Sequence, residues 1–162
     1  MTHVEWLMKI KEETFTRTMR VGPLCPRDKL MWAPSPGALT LGQLLRHMHR
    51  AELNRMKVMN GEITTQDYYR LRHGDSTLET TLGEVTDLDA ELAAMRAAHA
   101  YTLDSLRKMA DADLAKLAPW GKGEVSRLAF FLLMVEHDAH HRGQLATYLR
   151  MLGVPNPKPY GV

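Results

Sequence analysis

The sequence predicts an all-α fold, a four-helix bundle with a long crossover connection between its second and third helices. Three observations carry this expectation. Apolar residues recur at three- and four-residue spacing through four long segments, as they do in helices with one inward face. No run alternates with period two for long enough to make a convincing strand. The connection from about residue 61 to 85 exceeds the roughly 2–8 residues usual between antiparallel bundle neighbours. It is therefore expected to cross the bundle, carry a short helix around Thr65–Leu71, and leave the second and third helices parallel.

Each element has its own signal. The first helix starts at Thr2, where Thr2-x-x-Glu5 fits a capping box, and stops before Gly22-Pro23. Val4, Met8, Phe15 and Met19 mark its apolar side. Pro26, Pro34, Pro36 and Gly37 then hold a loop. The second helix starts at Thr40 with another capping-box pattern, Thr40-x-x-Gln43, and Gly61 ends it. Its stripe is Leu41, Leu44, Leu45, Met48, Met56 and Met59. The third covers roughly 86 to 109, with Leu88, Leu92, Met95, Thr102, Leu106 and Met109 in register. The fourth runs from about Ser126 to Leu152, where Gly153 is placed for a C-cap and Pro155 follows.

The fourth helix is apolar on two sides. One stripe is Phe130, Leu133, Met134, His137, His141, Leu145, Tyr148 and Leu152. The other is Leu128, Phe131, Leu132, Val135, Ala139, Ala146 and Leu149. Two apolar faces need two partners. One is the core, and the expected second is an identical chain in a homodimer with two-fold symmetry.

Composition sets the limits. A chain of 162 residues suits one domain, expected to span 1–162, and can bury a real core. The net charge of +2 is weak and scattered, which argues against a nucleic-acid partner. Cys25 is the only cysteine, so an intrachain disulfide and a four-cysteine zinc site are excluded, and a cytoplasmic location is expected. Thr2-His3-Val4-Glu5-Trp6 lacks a signal peptide's apolar stretch. The longest strongly apolar run, Leu128 to Val135, is far short of the ~20 residues a bilayer span needs, so no membrane partner is expected.

The chemistry-bearing residues are histidines. His137 and His141 are four apart in the middle of an inward stripe, so one turn separates two imidazoles that can share a metal ion. Two neutral imidazoles side by side in a core would otherwise each need a separate partner, and charging either there is costly. A third ligand can come from Arg46-His47-Met48-His49 on the second helix, where spacing does not separate His47 from His49. His99 also falls on a core stripe and reads as a satisfied core histidine. His140 sits on a more polar strip, with Glu136, Gly143, Gln144 and Thr147. Glu52 and Asp138 read as solvated helix residues, with a supporting role beside a metal as the alternative.

The fourth helix read whole, Leu132-Leu133-Met134-Val135-Glu136-His137-Asp138-Ala139-His140-His141-Arg142-Gly143-Gln144-Leu145 and then Tyr148-Leu149-Arg150-x-Leu152-Gly153, resembles the DinB/YfiT-like family of metal-binding four-helix bundles. Thr40-Leu41-Gly42-Gln43-Leu44-Leu45-Arg46-His47, followed by Glu52, is similar to that family's first ligand motif, and Trp120-Gly121-Lys122-Gly123-Glu124 also resembles it. The likeness spans nearly the whole chain and is specific in the second and fourth helices. It implies a divalent metal on His47, His137 and His141, and so favours His47 over His49. Zinc or nickel is expected, with iron and copper also suited to three imidazoles. It implies the crossed topology and frequent homodimers. It implies a small-molecule substrate, with a low-molecular-weight thiol among the partners, because members include thiol-dependent S-transferases, a thiol-dependent isomerase and proteins regarded as metal-dependent hydrolases. The family name, from a DNA-damage-inducible bacterial gene, suggests a stress role.

Three neutral imidazoles with an open fourth position would let the metal lower the pKa of a water toward ~7 for hydrolysis, or ionise a thiol for transfer. Trp32, Tyr68, Tyr69 and Trp120 are candidates to line the pocket above that position. The alternatives are a metal-binding stress protein without catalysis and a structural metal site in a dimeric scaffold.

Overall fold

The computed structural model describes residues 1–73, 81–155 and 157–160, with 71–73 as backbone alone. The four long helices are α1 (His3–Val21), α2 (Leu41–Met59), α4 (Leu88–Arg107) and α5 (Arg127–Met151). The short α3 (Thr65–His73) lies on the crossover, where the sequence placed one. Among the described residues no helix is long and apolar enough to cross a membrane.

The helix starts follow from their caps. Thr2 Oγ1 accepts the Glu5 N–H at 3.1 Å while the Glu5 carboxylate accepts the Thr2 N–H at 2.7 Å. Thr40 and Gln43 repeat the arrangement at 3.2 and 3.0 Å. Asp87 and Ser126 accept the N–H groups of Ala90 and Ala129 and start α4 and α5. At the far end of α5 Gly153 takes φ +74°, which lets the Val154 N–H reach back to the Leu149 carbonyl.

Cross-helix bonds give the helix directions. Arg46 and Glu52 of α2 and its C-cap Asn60 meet Glu91, Thr102 and Ser105 of α4 in ascending order, so these helices run parallel, as the crossover requires. Lys11 meets Asp138 and Thr18 meets Arg142, so α1 and α5 are also parallel. α2 runs against α5, with Leu44 and Leu45 beside Leu145 and Leu149 in one apolar cluster, and Met56 and Met59 beside Phe130 and Phe131 in the other. The order is therefore up, down, down, up.

The Thr40–His47 stretch anchors the crossover. Gly42 lies under Val85, and a Cβ at Gly42 would stand 2.6 Å from the valine Cβ. Gln43 caps its own helix through Oε1 and donates from Nε2 to the Gly83 carbonyl. Arg46 donates to the carbonyls of Leu82 and Glu84 and to the Glu91 carboxylate.

Three expectations need correction. First, Leu117–Trp120 and Gly123–Ser126 form an antiparallel hairpin, β1–β2, turning at Gly121-Lys122 with Trp120 paired to Gly123. Four residues per strand are too few to show a period-two pattern. Second, α1 turns Val4, Leu7, Lys11, Thr14 and Thr18 inward, while Met8, Phe15 and Met19 are only partly buried. Third, the second stripe of α5 is divided. Phe131, Ala146 and Leu149 are core residues, whereas Leu128 and Leu132 are 41% and 48% exposed.

Candidate metal centre

Between the two apolar clusters the bundle holds a layer of polar side chains. Capping at Thr40 and Ser126 sets the registers of α2 and α5, and their antiparallel packing brings His47 opposite the His137/His141 pair. The three imidazoles converge. His47 Nε2 lies 3.1 Å from His137 Nε2 and 3.1 Å from His141 Nε2. One ligand atom from each of the three falls within 4.8 Å of the others. His47 is buried and the other two half-buried.

This convergence is hard to satisfy with protons alone. His47 Nε2 carries at most one hydrogen in a neutral ring, and it faces two nitrogens. Three ring nitrogens facing one point suit a cation when each presents its lone pair. Imidazole nitrogens at about 2.0–2.1 Å from a common ion in tetrahedral geometry stand roughly 3.3 Å apart, close to the spacing seen here. The donor set therefore fits a divalent metal.

The surroundings keep His141 ready to ligate. Its Nδ1 lies 2.7 Å from Gln144 Oε1, and donation to that oxygen leaves Nε2 with its lone pair free. Burial first, and then the neighbouring His137, push the His141 pKa down to about 4, so the ring is neutral at physiological pH.

Beside the histidines stands an ionic cluster that the sequence did not suggest. Lys11 is 3% exposed and bridges Glu52, at 3.0 Å, and Asp138. Glu52 also accepts from Thr102 Oγ1 at 2.8 Å. Both acids are 7% exposed, so they are not solvated helix residues. Burial would lift the Asp138 pKa, but the Lys11 charge and the hydrogen bonds to His137 and Lys11 together overcome it and draw the carboxyl down to about 2. Lys11 is held above its ordinary value, because two carboxylates outweigh its own burial. Asp138 Oδ1 also lies 3.8 Å from His137 Nδ1, so the cluster presents negative charge to one of the three imidazoles.

The remaining candidates lie elsewhere. His49 Nε2 bonds to the buried Glu91 carboxylate at 2.6 Å, which removes it from the triad. His99 stacks on Phe15 with centroids 3.9 Å apart and is buried, but its Nδ1 has no hydrogen-bond partner, so its expected satisfaction is incomplete. His140 is exposed. Trp32 packs edge-on to Tyr148. Tyr68, Tyr69 and Trp120 do gather around one cavity, but its lining includes none of the three histidines.

Sequence reasoning missed Lys11 and Gln144. Lys11 stands four after Leu7 and three before Thr14, but beside a stripe read as Val4, Met8, Phe15 and Met19 it passes for a surface lysine. Gln144 was legible as the residue three after His141.

Comparison with known proteins agrees with this architecture. The DinB superfamily model matches residues 10–145. The crystal structure of a DinB-like protein from Bacillus cereus ATCC 10987 superposes with a TM-score of 0.74 at 19% identity, covering 94% of this chain and 95% of that one. A DinB-like protein from Bacillus subtilis, YjoA, gives 0.66 at 17% identity, covering 93% and 94%. No curated protein sequence matches the chain.

Proposed function

The chain belongs to the DinB superfamily, and we propose that it binds one divalent metal through His47, His137 and His141 and uses it for hydrolysis or thiol transfer on a small molecule. The observation that carries this reading is the approach of His47 Nε2 to both His137 Nε2 and His141 Nε2 at 3.1 Å. A divalent ion on three neutral imidazoles keeps its full charge and would supply Lewis-acid activation of a water or a thiol at the remaining position. Zinc or nickel suits the set best, and iron or copper would also be accepted.

The protein's own groups prepare the site. Gln144 fixes the orientation and tautomer of His141. Burial keeps His141 unprotonated. Asp138, locked by Lys11, faces His137 without ligating anything itself. His137 and His141 keep partial exposure, and the reading puts the substrate on their side of the centre.

The reading includes a single domain over 1–162, a cytoplasmic setting and a homodimer. The dimer rests on Leu128 and Leu132 of α5 and on Trp6 of α1, which is 53% exposed. Phe131 belongs to the core instead, so Leu132→Glu is the variant that should dissociate a dimer without unfolding the chain.

The functional test is a screen of metal-loaded protein against esters, amides and electrophiles, with and without low-molecular-weight thiols. Turnover that needs metal and vanishes in His137→Ala supports a reaction centre, and thiol dependence selects transfer over hydrolysis. Stoichiometric metal with no turnover on any substrate class favours the non-catalytic alternatives, a stress-response metal binder or a structural site.

A further inference from the structure

A second site lies away from the histidines, where the β1–β2 hairpin meets α2 and α3. A cavity of about 110 Å³ is walled by Tyr68, Tyr69, Trp120 and Phe130, with Thr65 and Arg55 among its polar groups. Phe130 precedes His137 by seven residues on α5, so the cavity stands about 10 Å along the helix from the nearest imidazole. The hairpin delivers Trp120 to this wall, edge-on to Phe130 at 5.3 Å between centroids. Its turn residue Gly121, at φ +61°, brings the backbone up beside the Tyr69 hydroxyl.

Arg55 gives the cavity its chemistry. Its guanidinium carbon sits 5.1 Å from the Trp120 ring centroid. Among the described residues that stacking is its one interaction, with neither a carboxylate nor a carbonyl taking its N–H donors. The cavity lining contains no Asp or Glu. A guanidinium carries five donors in a planar fork matched to a carboxylate, so this one is poised to accept an anion. Aromatic walls without a cation would also suit a quaternary amine, but Arg55 repels that occupant. The volume is well under the ~300 Å³ at which drug-sized pockets begin, and holds a single ring.

We propose that this cavity binds a small planar carboxylate of the benzoate type, with its ring between Trp120 and the tyrosines and its carboxylate on Arg55. The site does not depend on the metal reading, because none of its residues is a ligand there.

The test uses benzoate and its neutral isostere benzamide as probes, read by the indole N–H resonances of the ¹⁵N-labelled protein. The chain has three tryptophans, and Trp6→Phe and Trp32→Phe identify the signal of Trp120. Benzoate should shift the Trp120 signal saturably, with a dissociation constant on the order of 1 mM, and leave Trp6 and Trp32 unmoved. It should bind on the order of tenfold more tightly than benzamide, the difference one charge-assisted pair supplies. Arg55→Gln should erase that preference and Arg55→Lys should keep part of it, each with an otherwise unchanged spectrum. His137→Ala should respond to benzoate as the parent does, which separates this site from direct coordination to a metal. Equal shifts by benzoate and benzamide, a preference that survives Arg55→Gln, equal movement of all three indole signals, or a response lost in His137→Ala would each overturn the proposal.

Discussion

His137 and Asp138 are neighbours in sequence on one helix, yet they belong to two centres built on opposite principles. Asp138 joins Glu52 around Lys11, so that centre contains its own cation. His137 joins His47 and His141, and that centre gathers imidazole nitrogens with no Lys or Arg among its members. The first is complete as folded. The second has the ligand atoms to hold an ion from outside. A single residue step, about 100° around the helix, turns one side chain toward α1 and the other toward α2. Polar groups in the middle of a bundle can thus be structural or receptive, and the partner already present in the chain decides which.

The largest expected effect comes from breaking the closed centre. Lys11→Met leaves two buried carboxylates uncompensated and should lower unfolding free energy by about 3–5 kcal/mol, measured by urea denaturation of metal-free protein. His137→Ala should affect metal-free stability much less, because it removes one half-buried ring from an incomplete set. A Lys11→Met protein as stable as the parent would show that the ionic cluster carries no structural weight.

Gly42→Ala comes next. The new Cβ would meet Val85 at 2.6 Å, where the crossover presses on α2, and should cost about 1–3 kcal/mol through overpacking. The same Cβ would also stand 3.1 Å from the Leu30 carbonyl oxygen, a backbone atom that cannot turn aside. Thermal unfolding of this variant checks whether the crossover is seated as described, and an unchanged melting temperature would contradict that seating.

The two centres also separate on a pH axis. His99 and His141 are each held near pKa about 4, mainly by burial, against a reference of 6.5. The unfolded chain therefore binds more protons than the native state in this window. Their contribution is fully present above about pH 6.5 and is lost as pH falls toward 4. Asp138, drawn down to about 2, keeps its contribution until pH drops below its ordinary value of 3.8. Stability of metal-free protein should fall first between pH 6.5 and 4, and then again below. His99→Asn should shrink the first fall and leave the His141 part of it. A stability flat down to pH 4 in the parent would refute the buried neutral histidines. The smallest expected effect is that of His140→Ala, an exposed position whose loss should leave stability unchanged.

Much of the fold was legible in the sequence because its signals are local. Two capping boxes, the Gly153 stop and the apolar stripes mark the helix ends within a few residues. The crossed order was legible from the length of one connection. The hairpin was not, since four-residue strands leave no periodicity and their pairing depends on a turn at Gly121-Lys122. The meeting of His47, His137 and His141 was suggested by the family motifs, and His47 could not be separated from His49 by spacing. Glu91 explains why His49 lies apart, and that pairing is between helices, beyond any local pattern. The Lys11 cluster was misjudged for the same reason. A lysine, a glutamate and an aspartate on three helices each look like surface residues until the packing brings them together. Several motif residues turn out to serve architecture, with Gly42, Gln43 and Arg46 holding the crossover and Arg142 bonding to the Thr14 carbonyl. Gly143 has open space where a Cβ would stand, and nothing in the structure explains a glycine there.

The central claim is that the open centre is a metal site built from three named imidazoles. Elemental analysis of purified protein after zinc loading and exhaustive dialysis tests it most directly, on the parent and on His47→Ala, His137→Ala, His141→Ala and His140→Ala. The expected result is close to one equivalent per chain in the parent and in His140→Ala, with loss in each of the other three. Stoichiometric metal retained in His137→Ala, or lost in His140→Ala alone, would contradict the site as drawn.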